Sequence, residues 1–273
     1  MNKISPHFLF LIFILFFQSA FAQGDLMIMP KRIVFDGIQQ RSQEISLANT
    51  GKDSATYAIS FIQYKMNEDG SFQQIENPEE DQLFADAFLR YYPRRVSLAP
   101  NEAQTVGLQL TRTGEMSEGE YRSHLYFRAI EKPTALGSED VKNSEGNISI
   151  NIKTVFGISI PVIIRKGSSD TEVQLKDISL DASEQILSLD IEREGNMSVY
   201  GNLMVEYQEA DSAPTTEIGM VKGIAVYTPN EIRHFSFQLQ NTTKLDLNSG
   251  KLIITYKTEN GKVLAKKNLN LSN

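Results

Sequence analysis

The chain contains no cysteine, and of its three histidines only His124 and His234 lie beyond residue 22. The first absence excludes disulfides and a lipid anchor on a cysteine, so the fold must be held by its core alone. The second leaves the His/Cys ligand sets of ordinary zinc sites unfilled. A Ser-His-Asp arrangement would have to use one of two isolated histidines. No glycine-rich phosphate loop and no dinucleotide fingerprint occur either. The sequence therefore points to no cofactor, no metal and no catalytic residues. Blocks of lysine or arginine are missing, and the formal net charge is −7, which argues against nucleic acid or a membrane surface as partner. Helical periodicity is scarce: only Pro78 to Leu89, with Leu83, Phe84 and Phe88, fits an amphipathic turn or two.

What is present begins with an export signal. Lys3 supplies a positive start, Phe8 to Phe17 an apolar run, and Ala20-Phe21-Ala22 a small-x-small cleavage site. The run is about half the length of a membrane-spanning helix, so cleavage after Ala22 and no stable membrane insertion are expected. The mature chain then has about 250 residues, and loss of Lys3 moves its net charge from −7 to −8.

Beyond residue 26 nearly every apolar signal has period two. Ile33 and Phe35, Ile45 and Leu47, then Tyr57, Ile59 and Phe61 each share a face. Val106, Leu108 and Leu110 follow, and then Ser123, Leu125, Phe127 and Ala129. His124 falls on the face opposite Leu125 and Phe127, so it is expected to point outward. Turn pairs such as Asp36-Gly37 and Asp69-Gly70 separate these runs. Strands at such intervals predict an immunoglobulin-type β-sandwich. The polar segment Arg165 to Glu172 interrupts the series, and a second one follows: Leu187, Leu189 and Ile191, then Leu203, Val205 and Tyr207, then Leu252, Ile254 and Tyr256. Asn260-Gly261 before Val263 is a hairpin signal. The expected organisation is a signal at 1–22, one sandwich over 23–165 and a second over 166–273. The fold class is all-β, two tandem immunoglobulin-like sandwiches.

One stretch stands apart. Ile148, Ile150 and Ile152 alternate with Ser149, Asn151 and Lys153, and the strand signal runs on through Phe156 to Ile164. That is too long for an ordinary strand of about five or six residues. It follows a long charged connection, Glu131 to Gly146. An exposed apolar strand edge templates pairing with other chains and is normally suppressed. Its retention suggests that pairing is its purpose.

These residues accumulate into a resemblance. Arg32-Ile-Val-Phe-Asp-Gly37 resembles the opening strand of the PapD-like periplasmic pilus-assembly chaperones. Pro93-Arg-Arg-Val-Ser-Leu-Ala-Pro100 with Gln104-Thr-Val, and Gly119-Glu-Tyr-Arg-Ser-His-Leu125, are similar to further motifs of that family. The isoleucine run stands where the family keeps its subunit-binding strand. The resemblance implies two immunoglobulin-like sandwiches in a boomerang arrangement, located in the periplasm. The implied function is ATP-independent stabilisation of secreted pilus- or fimbria-type subunits by β-strand donation for surface assembly, without enzymatic activity. Its implied partners are a pilin-like or other secreted β-sandwich subunit and an outer-membrane usher, with self-association of the free protein. On this reading Ile148, Ile150 and Ile152 fill the subunit's open groove, and Arg32 holds its terminal carboxylate. The family pairs that arginine with a lysine; ungapped matching of the isoleucines puts Gly157 at that position, and Lys153 is the nearest basic residue. Arg122 stands where the family uses an acidic residue toward the second domain. The rival reading is a secreted structural or adhesive immunoglobulin-like binding protein without chaperone activity.

Overall fold

A computed structural model describes residues 26–130, 156–242 and 245–271 of the chain. The signal segment, the 131–146 connection, Ile148, Ile150, Ile152 and Lys153 lie outside the described residues. Ten strands come first: β1 (Leu26–Met29), β2 (Ile33–Asp36), β3 (Ser42–Asn49), β4 (Ala55–Met66), β5 (Phe72–Ile75), β6 (Leu89–Tyr92), β7 (Arg95–Leu98), β8 (Ala103–Leu110), β9 (Gly119–Ile130) and β10 (Gly157–Lys166). Seven follow: β11 (Glu172–Asp181), β12 (Ile186–Glu194), β13 (Val199–Gln208), β14 (Thr216–Val226), β15 (Ile232–Gln238), β16 (Lys251–Lys257) and β17 (Val263–Asn270).

The first ten strands form two sheets, ordered β1-β3-β8-β6 and β2-β10-β9-β4-β5, with β7 also pairing with β4. The inward residues of both sheets, among them Phe35, Ile45, Leu108, Leu125 and Phe127, form one core. The other seven strands form sheets β11-β12-β15 and β14-β13-β16-β17 around a separate core that includes Leu189, Leu203, Ile254 and Tyr256. The protein is all-β, with two immunoglobulin-like sandwiches in tandem. Period-two alternation was a sound guide because each sheet buries one face and leaves the other wet. The Asn260-Gly261 hairpin is present, with β16 and β17 joined by a turn in which the Gly261 amide donates to the Thr258 carbonyl.

Two expectations differ from the structure. Pro78 to Leu89 is no amphipathic helix; only Asp86–Phe88 makes a single 3-10 turn. The reason lies in β9, which runs alongside. Leu83 bridges to Tyr121, and the Ala85 and Asp86 amides donate to the Ser123 hydroxyl. Those partners replace the helical hydrogen bonds while Leu83 and Phe88 still pack onto the first core. The other difference is β1, an unforeseen strand whose Leu-Met-Ile-Met sequence is apolar on both faces.

Strand β4 has twelve residues, and only its first part lies in the sandwich. Gln63 to Met66 pair with β5, so the β4–β5 hairpin projects beyond the sheet toward the second sandwich. The sandwiches meet around a third, small apolar cluster: Met66, Ile163, Ala225 and Tyr227, flanked by Val34 and Tyr200. Ile163 therefore belongs to this junction, whereas Val162 and Ile164 belong to the first core. Burial on both faces explains why β10 loses its alternation near its end.

Candidate functional site

The junction concentrates the charged and polar groups that a sandwich normally keeps wet. On the outer face of β9, Glu120, Arg122 and His124 are each at most 4% exposed. Glu120 Oε2 accepts from Arg165 Nε at 2.9 Å, and from the Ser198 amide and hydroxyl of the second sandwich at 3.1 and 2.8 Å. Arg165 Nη2 also donates to the Ser198 carbonyl at 2.7 Å. Arg122 lies 4.6 Å over the Tyr227 ring and donates Nη2 to the Thr228 carbonyl, while its Nε and Nη1 find no partner among the described residues. Burial holds its pKa below the ordinary arginine value. The acidic contact to the second sandwich thus comes from Glu120, two residues before Arg122 and on the same strand face.

His124 is outward from the first core, as its phase requires, but it is covered. Its ring stands edge-on to Tyr64 and Phe72, with centroids 4.9 and 5.5 Å away. Nδ1 has no partner among the described residues. Desolvation, aided by Arg122, lowers its pKa to about 3. A histidine that stays neutral when folded but ordinary when unfolded binds an extra proton only in the unfolded chain. Its stabilising contribution is full above about pH 6.5 and is lost as pH falls toward about 3. In urea titrations between pH 4 and 6, wild-type stability is expected to fall with acid more steeply than that of His124→Phe. The difference should approach about 1.4 kcal/mol per pH unit. Parallel profiles would mean that His124 is solvated.

Arg32 sits immediately before β2, and its guanidinium lies 4.6 Å over the ring of Tyr200 from the second sandwich. Its Nε is buried and without a partner among the described residues. It lines a cavity of about 520 Å³ between the sandwiches with Arg165, Ser198, Tyr200 and Lys262. A neighbouring cavity of about 530 Å³ is walled by Tyr64, Phe72, His124 and Tyr227, with Lys31 and Arg233 on its lining. The strand residue beside Arg32 on β10 is not Gly157. Ile33 is in register with Val162, so Pro161 stands there, and no cation on β10 faces Arg32 from that position. Gly157 lies four residues earlier, where a Cβ would collide with the Tyr126 ring. The cavity that Pro161 lines also carries Lys31 and Arg233, which the sequence patterns did not single out.

The remaining feature is an edge. Strand β10 pairs with β9 along its whole length, from Gly157 to Lys166. On its other side β2 covers only Val162 to Arg165, in parallel. Gly157 to Pro161 have no strand on that side among the described residues, and Phe156, just before them, is 44% exposed. The open half of β10 is the half that the isoleucine run leads into.

Neither a protein-family model nor a curated protein matches the chain. Solved structures do. One is a chaperone–tip adhesin complex of CFA/I fimbriae biogenesis, at 14% identity and a TM-score of 0.45, covering 90% of this chain and 98% of that one. A second is the YadV chaperone, at 11% identity and a TM-score of 0.44, covering 91% and 100%. The Escherichia coli chaperone DraB matches at 13% identity and a TM-score of 0.43, covering 90% and 96%. Among the described residues no helix is long and apolar enough to cross a membrane, and no cluster of His, Asp and Glu could hold a metal.

Proposed function

We propose that the protein is a periplasmic, ATP-independent chaperone that captures secreted pilin-like β-sandwich subunits by donating a strand. The observation that carries this reading is the half-open edge of β10, entered from Ile148, Ile150 and Ile152. Unpaired backbone groups on such an edge accept a partner strand, and alternate apolar side chains give that strand specificity. On this reading residues 1–22 are removed in export, residues 23–165 form the capturing domain, and residues 166–273 form its companion. An outer-membrane usher would receive the complex, and free protein would self-associate through the same edge.

Arg32 is assigned to the subunit's terminal carboxylate, with Lys153 as a further contact. A guanidinium offers a planar fork matched to a carboxylate, and Arg32 lines the cavity between the sandwiches. Stacking on Tyr200 presents the group without mobility, so the contact would cost little ordering entropy. Titration of Arg32→Ala with a purified subunit should show a roughly ten- to hundredfold loss of affinity, as expected for one charge-assisted hydrogen-bond set of about 1.5–3 kcal/mol. A wild-type protein that captures no secreted β-sandwich subunit would overturn the function; undiminished capture by Arg32→Ala would overturn the anchor alone.

A further inference from the structure

The turn of the β4–β5 hairpin rests on β15 of the second sandwich. The Glu68 carbonyl accepts the His234 amide at 2.8 Å. Gly70 packs so closely on Arg233 that a Cβ there would stand 2.5 Å from Nη2. The His234 imidazole lies between two carboxylates, one from each sandwich. Nδ1 is 2.7 Å from Asp190 Oδ1 on the adjacent β12, and Nε2 is 3.4 Å from Glu68 Oε2 in the hairpin turn.

Only the imidazolium carries a proton on both nitrogens. A neutral ring keeps one, and the shorter Asp190 contact holds it on Nδ1. Nε2 then turns a lone pair toward the Glu68 carboxylate. Deprotonation thus breaks the contact that crosses between the sandwiches and spares the one within the second. The other charged groups nearby do not take over this role. Lys176 on β11, in register with Asp190, is engaged with Glu192 at 2.5 Å. Arg233 donates to the Ala225 carbonyl, and Asp69 in the turn accepts from Ser71. Asp190 first, and then Glu68, raise the His234 pKa above its ordinary value.

We propose that His234 is a proton-gated latch between the sandwiches. When protonated it fastens the β4–β5 hairpin to β15, and with it the Tyr64 and Phe72 wall of the junction cavity; when neutral it lets the hairpin loosen. Because the folded-state pKa is raised, the latch is fully closed below the ordinary value of about 6.5. It opens as pH rises through the higher folded value. This inference stands whether or not the protein is a chaperone.

The His234 amide reports the latch directly, since it donates across the junction. Its hydrogen exchange, measured by NMR at pH 6.0 and 8.5 and corrected for intrinsic rate, should show protection falling roughly two- to fivefold at the higher pH, the scale of exposed ion pairs. The Gly70 amide, bonded inside the turn to the Asn67 carbonyl, should keep its protection. In His234→Gln and in Glu68→Gln the change at residue 234 should vanish. Equal wild-type protection at both pH values, or a pH dependence that persists in His234→Gln, would overturn the proposal.

Discussion

Glu120→Ala is expected to cost about 3–5 kcal/mol of stability, the usual penalty for removing one partner of a buried ion pair. The Glu120 side chain is wholly buried, and a single oxygen serves Arg165, the Ser198 amide and the Ser198 hydroxyl. Truncation leaves the Arg165 guanidinium and two Ser198 donors without that acceptor at the junction. Against a typical total of about 5–15 kcal/mol, that loss is large enough to bring the midpoint of a urea titration down sharply. The same change should uncouple the two sandwiches, so that one transition becomes two. Replacing both members, as Glu120→Leu with Arg165→Leu, should recover most of the stability, because the penalty arises from the orphaned charge. A single-mutant loss under about 1 kcal/mol would show that water reaches this pair in solution and that it ranks with surface ion pairs.

Much of the fold was legible because each strand of a sandwich writes its half-burial as alternation. Ile45 and Leu47, or Leu125 and Phe127, are buried as that pattern requires. The failures have physical causes. β1 is apolar on both faces, so it has no alternation to read, and Met27 and Met29 end up exposed. The segment around Leu83 carries helical spacing, but β9 supplies its backbone partners. The junction was hardest to see. Strand phase correctly put His124 outside the first core, and Glu120 and Arg122 share its face of β9, yet nothing local says that a second sandwich covers them. Tyr200, Tyr227 and Arg233 come from residues about 80 to 110 positions away in sequence and converge there only through the fold. Arg32 was found by its motif, whereas its stacking on Tyr200 could only be found in three dimensions. Its removal is therefore expected to touch the junction as well as any ligand, which makes a melting curve a necessary companion to the binding titration.

Serine at 148, 150 and 152 together should abolish subunit capture while leaving the melting temperature near that of the wild type. On the strand-donation reading the two properties separate, because the three side chains then fill a partner's groove and not the first core. Phe35, Ile45, Leu108, Leu125, Phe127, Val162 and Ile164 are already buried against one another. If the three isoleucines fill a partner's groove, each contributes on the order of 1.5–3 kcal/mol to binding, so loss of any two already exceeds about a hundredfold in affinity. If they were instead part of the protein's own core, each truncation would cost about 2–5 kcal/mol of folding stability, and the triple mutant would not fold. Protection of a purified subunit from proteolysis, read beside circular-dichroism melting of the protein alone, distinguishes these cases. A soluble, folded triple mutant that still protects its subunit would remove the donor strand from 148–152, and an unfolded one would return those residues to the core. The open edge from Gly157 to Pro161 provides an internal check. If the donated strand continues from the isoleucine run into this edge, bound subunit should protect the Gly157 and Ser159 amides, which face away from β9, from exchange in the wild type and not in the triple mutant.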